Sequence, residues 1–209
     1  LTMQRREFLI NTTLAASAAV VGIDRSVMAA PPVRPLIKKS LKYGMVEEKI
    51  SVLDKFKLLK DLGFDGVELD SPNDLDPKEI LAARDKTGLE LPGVVNSAHW
   101  KSPLSDADPK VREVCFKAME KSLNDCKLYG GTTVLLVPGV VNATTSYEDA
   151  YKRSQAEIKK LLPIAEKTGI KIALENVWNN FLISPVEAAR FVDEINHPLL
   201  GWYFDVENI

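Results

Sequence analysis

Several polar residues in this chain stand where apolar runs end. Glu175 closes Ile172-Ala173-Leu174, and Asp205 closes Tyr203-Phe204. Glu68 and Asp70 flank Leu69, while Asn96, Ser97, His99 and Trp100 follow Val94-Val95. A carboxylate in such a place carries a large desolvation cost unless it is paired, hydrogen-bonded or bound to a cation. Glu175 and Asp205 are therefore read as ligands of one hard divalent ion, in preference to two solvated loop acids. Oxygen donors suit Mg2+ or Mn2+, and a nearby imidazole would shift the preference toward Mn2+, Co2+ or Zn2+. His99 stays open between metal ligation and a ring set beside Trp100, and His197, in Asn196-His197-Pro198, reads as a surface residue of a helix-exit loop.

These residues need elements to bring them together, and the hydrophobic pattern supplies them. Near-continuous apolar runs at 41–46, 66–69, 91–96, 133–137, 171–175 and 200–205 read as parallel strands covered on both faces. The intervening segments carry helix punctuation. A helix over 49–61 with Leu53, Phe56 and Leu59 stops at Gly63, and Asp76-Pro77 opens one that Gly88 closes. Asp108-Pro109 opens another ending at Gly130-Gly131. Ser146 starts a fourth that ends at Gly169, with Pro163 expected to kink or restart it, and Ser184-Pro185 with Glu187 forms a capping box. The strand ends fall 28 to 40 residues apart, the period of βα units. No glycine-rich phosphate fingerprint follows a strand, so a (β/α)8 TIM barrel is favoured over a doubly wound nucleotide-binding sheet. About six of its eight units are expected, over 41–209. All the polar residues above then lie at the carboxyl ends of strands, where barrels of this kind carry function.

The composition is that of a globular protein: 209 residues, 45% hydrophobic and 27% charged. With 27 basic against 29 acidic side chains, no global positive field exists to hold a phosphate backbone, so nucleic acid is not an expected partner. Residues 1–30 read as an export signal, with Arg5-Arg6-Glu7-Phe8-Leu9, a mild apolar run at 14–22, and Ala29-Ala30. The run is too short and too rich in Ala, Ser and Thr for a stable membrane span. Residues 31–40 form a linker, and the expected location is the periplasm or beyond, by twin-arginine export. Cys115 and Cys126 lie eleven residues apart in one expected helix, about 16 Å along its axis, and are read as buried thiols that do not pair.

The stretches 62–69 (Leu-Gly-Phe-Asp-Gly-Val-Glu-Leu), 162–170, Ala173-Leu174-Glu175-Asn176 with Trp178-Asn179, and 201–208 (Gly-Trp-Tyr-Phe-Asp-Val-Glu-Asn) resemble the sugar phosphate isomerase/epimerase family of xylose isomerase-like TIM barrels. That resemblance implies a divalent cation held by Glu after strand five, Asp after strand six, His after strand seven and Glu after strand eight. Glu175 and Asp205 match the first two. It implies that the cation grips neighbouring oxygens of a ketose or aldose, acidifies the C–H between them and stabilises an enediolate, with Glu175 as one of two proton-moving carboxylates. Glu68, His99, Trp100, Asn176 and Trp178 are the expected sugar contacts, the indoles as stacking faces, with a rim-packing role for Trp178 as the alternative. The chain is expected to be a piece of a longer protein that carries the other two ligands. A small-molecule carbohydrate is the expected partner, and a homo-oligomer is left open. Two other activities fit the same site: a 3-keto-glycoside lyase or hydrolase using the same C–H acidification, and a secreted carbohydrate-binding protein without turnover. Phosphodiester cleavage of the endonuclease IV type would need more than two histidines and is set aside.

Overall fold

The computed structural model describes residues 37–208, so the twin-arginine segment and most of the 31–40 linker lie outside the described residues. Six strands, β1 (Ser40–Lys42), β2 (Gly66–Ser71), β3 (Gly93–Asn96), β4 (Thr133–Leu136), β5 (Lys171–Leu174) and β6 (Leu200–Trp202), form one parallel sheet in sequence order. Five helices, α1 (Val52–Asp61), α2 (Pro77–Thr87), α3 (Pro109–Tyr129), α4 (Tyr147–Thr168) and α5 (Pro185–Ile195), alternate with them. Each strand pairs only with its sequence neighbours, as consecutive βα units of a barrel must. The register is staggered: β1 pairs with Gly66, Val67 and Glu68, whereas β3 pairs with Leu69, Asp70 and Ser71, the shear that curls a sheet toward a barrel. Among the described residues no helix is long and apolar enough to cross a membrane.

The helix boundaries follow from local chemistry. Asp76 and Asp108 accept from the backbone N–H groups of Lys78 and Lys110 ahead of Pro77 and Pro109, and Gly88 and Gly130 end the same helices at φ of 67° and 81°. Ser184 and Glu187 make the reciprocal capping box of α5. Caps of this kind contribute about 1 kcal/mol each. The larger stabilisation comes from burial between sheet and helices, where Phe56, Leu59, Ile80, Met119, Leu123, Ile158, Phe181 and Phe191 are all sealed from water.

Three expectations needed correction. α4 runs through Pro163 without restarting; the proline sits on an exposed position of the helix, and the one hydrogen bond it forgoes does not end the helix. β1 ends at Lys42 and the chain enters a 3-10 turn at Tyr43–Met45, closed by Val46 N–H to the Tyr43 carbonyl (3.2 Å). β6 ends at Trp202. Tyr203 N–H still bonds the Leu174 carbonyl (2.8 Å), but Phe204 stands 66% exposed and Asp205 lies in the turn that follows. An apolar run becomes strand only where a neighbour supplies hydrogen bonds, and β6 has such a neighbour, β5, on one side only among the described residues. The two cysteines match their reading: both lie buried and free in α3, with burial pushing their thiols up to about 12 (Cys115) and about 11 (Cys126).

Candidate active site

On β2 the side chains of Glu68 and Asp70 share a face, two residues apart. Lys42 on β1 stands in register with Glu68 and makes an ion pair with Asp70 (2.8 Å). Glu68 is largely buried, which raises its proton affinity, and it accepts a hydrogen bond from the Tyr203 hydroxyl (3.0 Å). That bond crosses from β2 to the end of β6. Gly93 on β3 leaves the room: a Cβ there would meet the Thr133 carbonyl oxygen at 2.7 Å and the Glu68 carboxylate at 3.7 Å.

Glu175 follows β5 directly, its backbone N–H held by the Leu136 carbonyl (3.1 Å). Burial first, then the charges of Asp205 and Glu68, push its carboxyl up to about 7 against the opposing pull of Lys42. Its side chain takes no hydrogen bond from a described residue. Asp205 accepts from the Glu207 N–H (2.8 Å) and from the Asn208 amide (2.7 Å), both in its own turn. The structure thus brings Glu68, Asp70, Glu175 and Asp205 to one mouth, where the Lys42 ammonium pairs with Asp70 and acts on Glu68 and Glu175.

The β3 exit is more tightly built. Ser97 N–H donates to the Ser71 carbonyl (2.8 Å) and its hydroxyl to the Pro72 carbonyl (2.7 Å). Ser71 donates to Asp125 of α3 (2.7 Å), which also takes Lys121 on both oxygens, and Ser122 donates to the Ser71 carbonyl (2.8 Å). Asn96 reaches Ser122 and accepts from Ala98 N–H (3.0 Å). His99, only 3% exposed, accepts the Val137 N–H on Nδ1 (3.2 Å) and meets the half-exposed Trp100 edge-on, ring centroids 5.6 Å apart. Burial and the Lys42 charge push its imidazole down to about 4, so it is neutral.

One expected sugar contact lines a separate groove, and another stands open to solvent. Asn176 is 3% exposed and lines an apolar groove with Leu182, Pro185, Val192, Trp202 and Phe204; its amide donates to the Asn208 carbonyl (2.7 Å), while its Oδ1 is buried without a described partner. Trp178 projects 89% exposed from the loop after Glu175. That loop is pinned by Asn179, which accepts from Val177 N–H (3.0 Å) and donates to the Gly139 carbonyl (2.8 Å). His197 is remote from the mouth: its ring meets Glu166 of α4 (3.1 Å) and Leu199 N–H (3.2 Å). Lys42 and Tyr203 are mouth residues that sequence reasoning missed. Lys42 had a signal, an ammonium at the end of a strand, but Tyr203 looks like any aromatic of an apolar run.

Among the described residues no three His, Cys, Asp or Glu side chains are grouped to hold a metal ion. Glu175 and Asp205 fit one as a pair of oxygen donors: their mutual repulsion and the unbonded Glu175 carboxyl are what a nearby dication would relieve.

A profile of the family described as xylose isomerase-like TIM barrel matches residues 56–209. The L-ribulose-5-phosphate 3-epimerase of Salmonella typhi is 23% identical over 190 residues, 83% of this chain and 66% of the relative, so the chain spans just under two thirds of that protein's length. Among solved structures, D-psicose 3-epimerase in the presence of D-fructose superposes with a TM-score of 0.66 at 20% identity, over 78% of this chain and 62% of the other. The IolI protein with a bound zinc atom gives 0.62 at 20% identity, over 79% and 62%.

Proposed function

We propose that this chain, which belongs to the family of xylose isomerase-like TIM barrels, epimerises or isomerises an unphosphorylated carbohydrate with the help of a divalent metal. The carrying observation is the convergence of Glu68, Asp70, Glu175 and Asp205 on one mouth, with the Lys42 ammonium paired to Asp70 and acting on Glu68 and Glu175. The names of the similar proteins, two of them sugar 3-epimerases, support the reaction class, and the zinc of IolI supports the metal.

Glu175 and Asp205 would hold the cation. Bound there, it supplies polarisation of neighbouring oxygens on a hydroxy-ketone or aldose, which lowers the cost of removing the proton between them. Glu175, whose side chain takes no hydrogen bond from a described residue, takes that proton and returns it. Tyr203 fixes the Glu68 carboxylate, and the edge-on pair His99 and Trp100 bounds the sugar on the β3 side. Trp178 stands above as an open stacking face. Four carboxylates against one ammonium and one bound dication still leave the mouth net negative, so a neutral sugar fits it better than a sugar phosphate. The twin-arginine motif supports the same reading, with the periplasm or the exterior as the working location.

The test is solvent deuterium incorporation. The natural full-length protein loaded with Mn2+ is incubated in D2O with free ketoses, keto-glycosides and ketose phosphates. Exchange into free ketoses that vanishes on chelation is the expected result. Binding without exchange would make the protein a receptor, loss of a glycosidic leaving group a lyase, and exchange into phosphates alone would overturn the substrate class.

A further inference from the structure

His99 is placed at the mouth by a bond that also fixes which of its nitrogens is free. The Val137 N–H donates to Nδ1 (3.2 Å), so Nδ1 must present its lone pair. A ring whose Nδ1 accepts is a neutral ring, and its burial, with the charge of Lys42, acts in the same direction. A neutral imidazole whose Nδ1 accepts carries its one proton on Nε2. That nitrogen has no partner among the described residues. A nitrogen that bears a proton has no lone pair for a cation.

We propose that His99 is a fixed Nε2–H donor to an oxygen of the bound sugar and not a ligand of the metal. Metal ligation through Nε2 would require the opposite tautomer, with an Nδ1 proton pointing at the Val137 N–H, two donors face to face. The arrangement divides the mouth by chemistry. Donors, Lys42 and His99, stand at the ends of β1 and β3, and acceptors, Glu175 and Asp205, follow β5 and β6. A polyol spanning the mouth would then be fixed by an acceptor oxygen at one end and by its acidic C–H at the other, which sets the carbon presented to Glu175. This inference rests on the proposed carbohydrate chemistry for its ligand, but not for its tautomer.

Two measurements test it. Nitrogen NMR of histidine-labelled protein at pH 7 should show His99 with a protonated Nε2 and a lone-pair Nδ1, unchanged when Zn2+ is added to saturation. A protonated Nδ1, or an Nε2 signal that moves to the metal-bound range with Zn2+, overturns the proposal. The second measurement uses whichever free ketose exchanges deuterium. His99→Gln keeps an N–H donor near the Nε2 position and should hold KM within about 3-fold. His99→Asn keeps the acceptor for Val137 but loses the donor, and should raise KM about tenfold with kcat little changed. Circular dichroism checks that both variants fold, with His99→Asn the one that retains the Val137 bond. Equal KM values for the two variants, or a loss confined to kcat, would sink the donor role. A wild-type protein that exchanges no sugar overturns the epimerase reading instead, and the nitrogen spectrum still decides the tautomer.

Discussion

The polar groups at the ends of β2 and β3 are tied into helix α3, whereas those after β5 and β6 are tied to little beyond their own loops. On the first arc Ser71, Asn96, Ser97, Ser122 and Asp125 form one connected set of hydrogen bonds. On the second, Glu175 has a carboxyl with no donor among the described residues, Asp205 is held by its own turn, and the Asn176 Oδ1 is buried without a described partner. A satisfied network holds its geometry before any ligand arrives. Unanswered charge does the reverse: it costs stability in the free protein and returns that cost when a cation binds. The two arcs therefore differ in kind, one with its polar groups satisfied and the other with charge that the described residues leave largely unanswered.

The sharpest break in this contrast is Glu175→Gln. On the charged arc it removes the proposed proton carrier and one proposed cation ligand, so deuterium exchange should fall by about 10^3-fold or more. Exchange at the wild-type rate would remove Glu175 from the chemistry. Asp125→Ala is the counterpart on the satisfied arc. It strands the Ser71 hydroxyl in a dry site and should lower unfolding free energy by about 2–3 kcal/mol in urea titration. Zn2+ affinity of the folded fraction should stay within about twofold, since distant sites act independently. A tenfold fall in affinity would show that the arcs are coupled.

A third prediction uses pH to separate the arcs in the metal-free protein. Glu175 sits at about 7 in the fold against an ordinary 4.5, so between those values the folded state keeps a proton that the unfolded chain has released. Its contribution is present below 4.5 and lost as pH rises through 7. Glu175→Gln should then raise stability at pH 8 by about 1 kcal/mol, a figure discounted for the half-open site, and give no gain at pH 4.5. His99 runs the other way. Its folded value of about 4 lies below the ordinary 6.5, so its contribution is present above 6.5 and lost as pH falls toward 4. His99→Asn should flatten that acid limb while leaving the alkaline one. Stability curves of the two variants that bend at the same pH would contradict the division.

Legibility in the sequence follows the same line. The helices announced themselves because a cap, a proline and a glycine act within a few residues, as at Asp76-Pro77 and Gly88. Glu175 was legible because a lone acid after Ile-Ala-Leu has few inexpensive explanations. What could not be read depends on closure of the sheet. Tyr203 meets Glu68 across 135 residues of sequence, and nothing near either residue encodes the partner. Lys42 gains meaning only from the register that sets β1 beside Glu68. Asn176 follows Glu175 and was grouped with it, yet neighbours in an extended segment face opposite ways, and it went to the groove by α5. The ends of β1 and β6 were overextended for a related reason: hydrophobicity marks what wants burial, while strand length is set by the neighbour.

The smallest effect is expected at Trp178, and it decides between the two readings of that indole. Asn179 beside it donates to the Gly139 carbonyl and accepts from the Val177 N–H, so the loop is held from below without help from Trp178. Asn180 and Leu182 adopt positive φ of 54° and 55°, a cost that the anchored loop and the fully buried Leu182 side chain must offset. An indole 89% exposed contributes little to that balance, and Trp178→Ala should change stability by less than about 0.5 kcal/mol. If the ring stacks on sugar, the same variant should raise KM a few-fold, roughly the 1 kcal/mol of an exposed aromatic contact, with kcat unchanged. A stability loss well above 1 kcal/mol with KM intact would make Trp178 a packing residue of the rim.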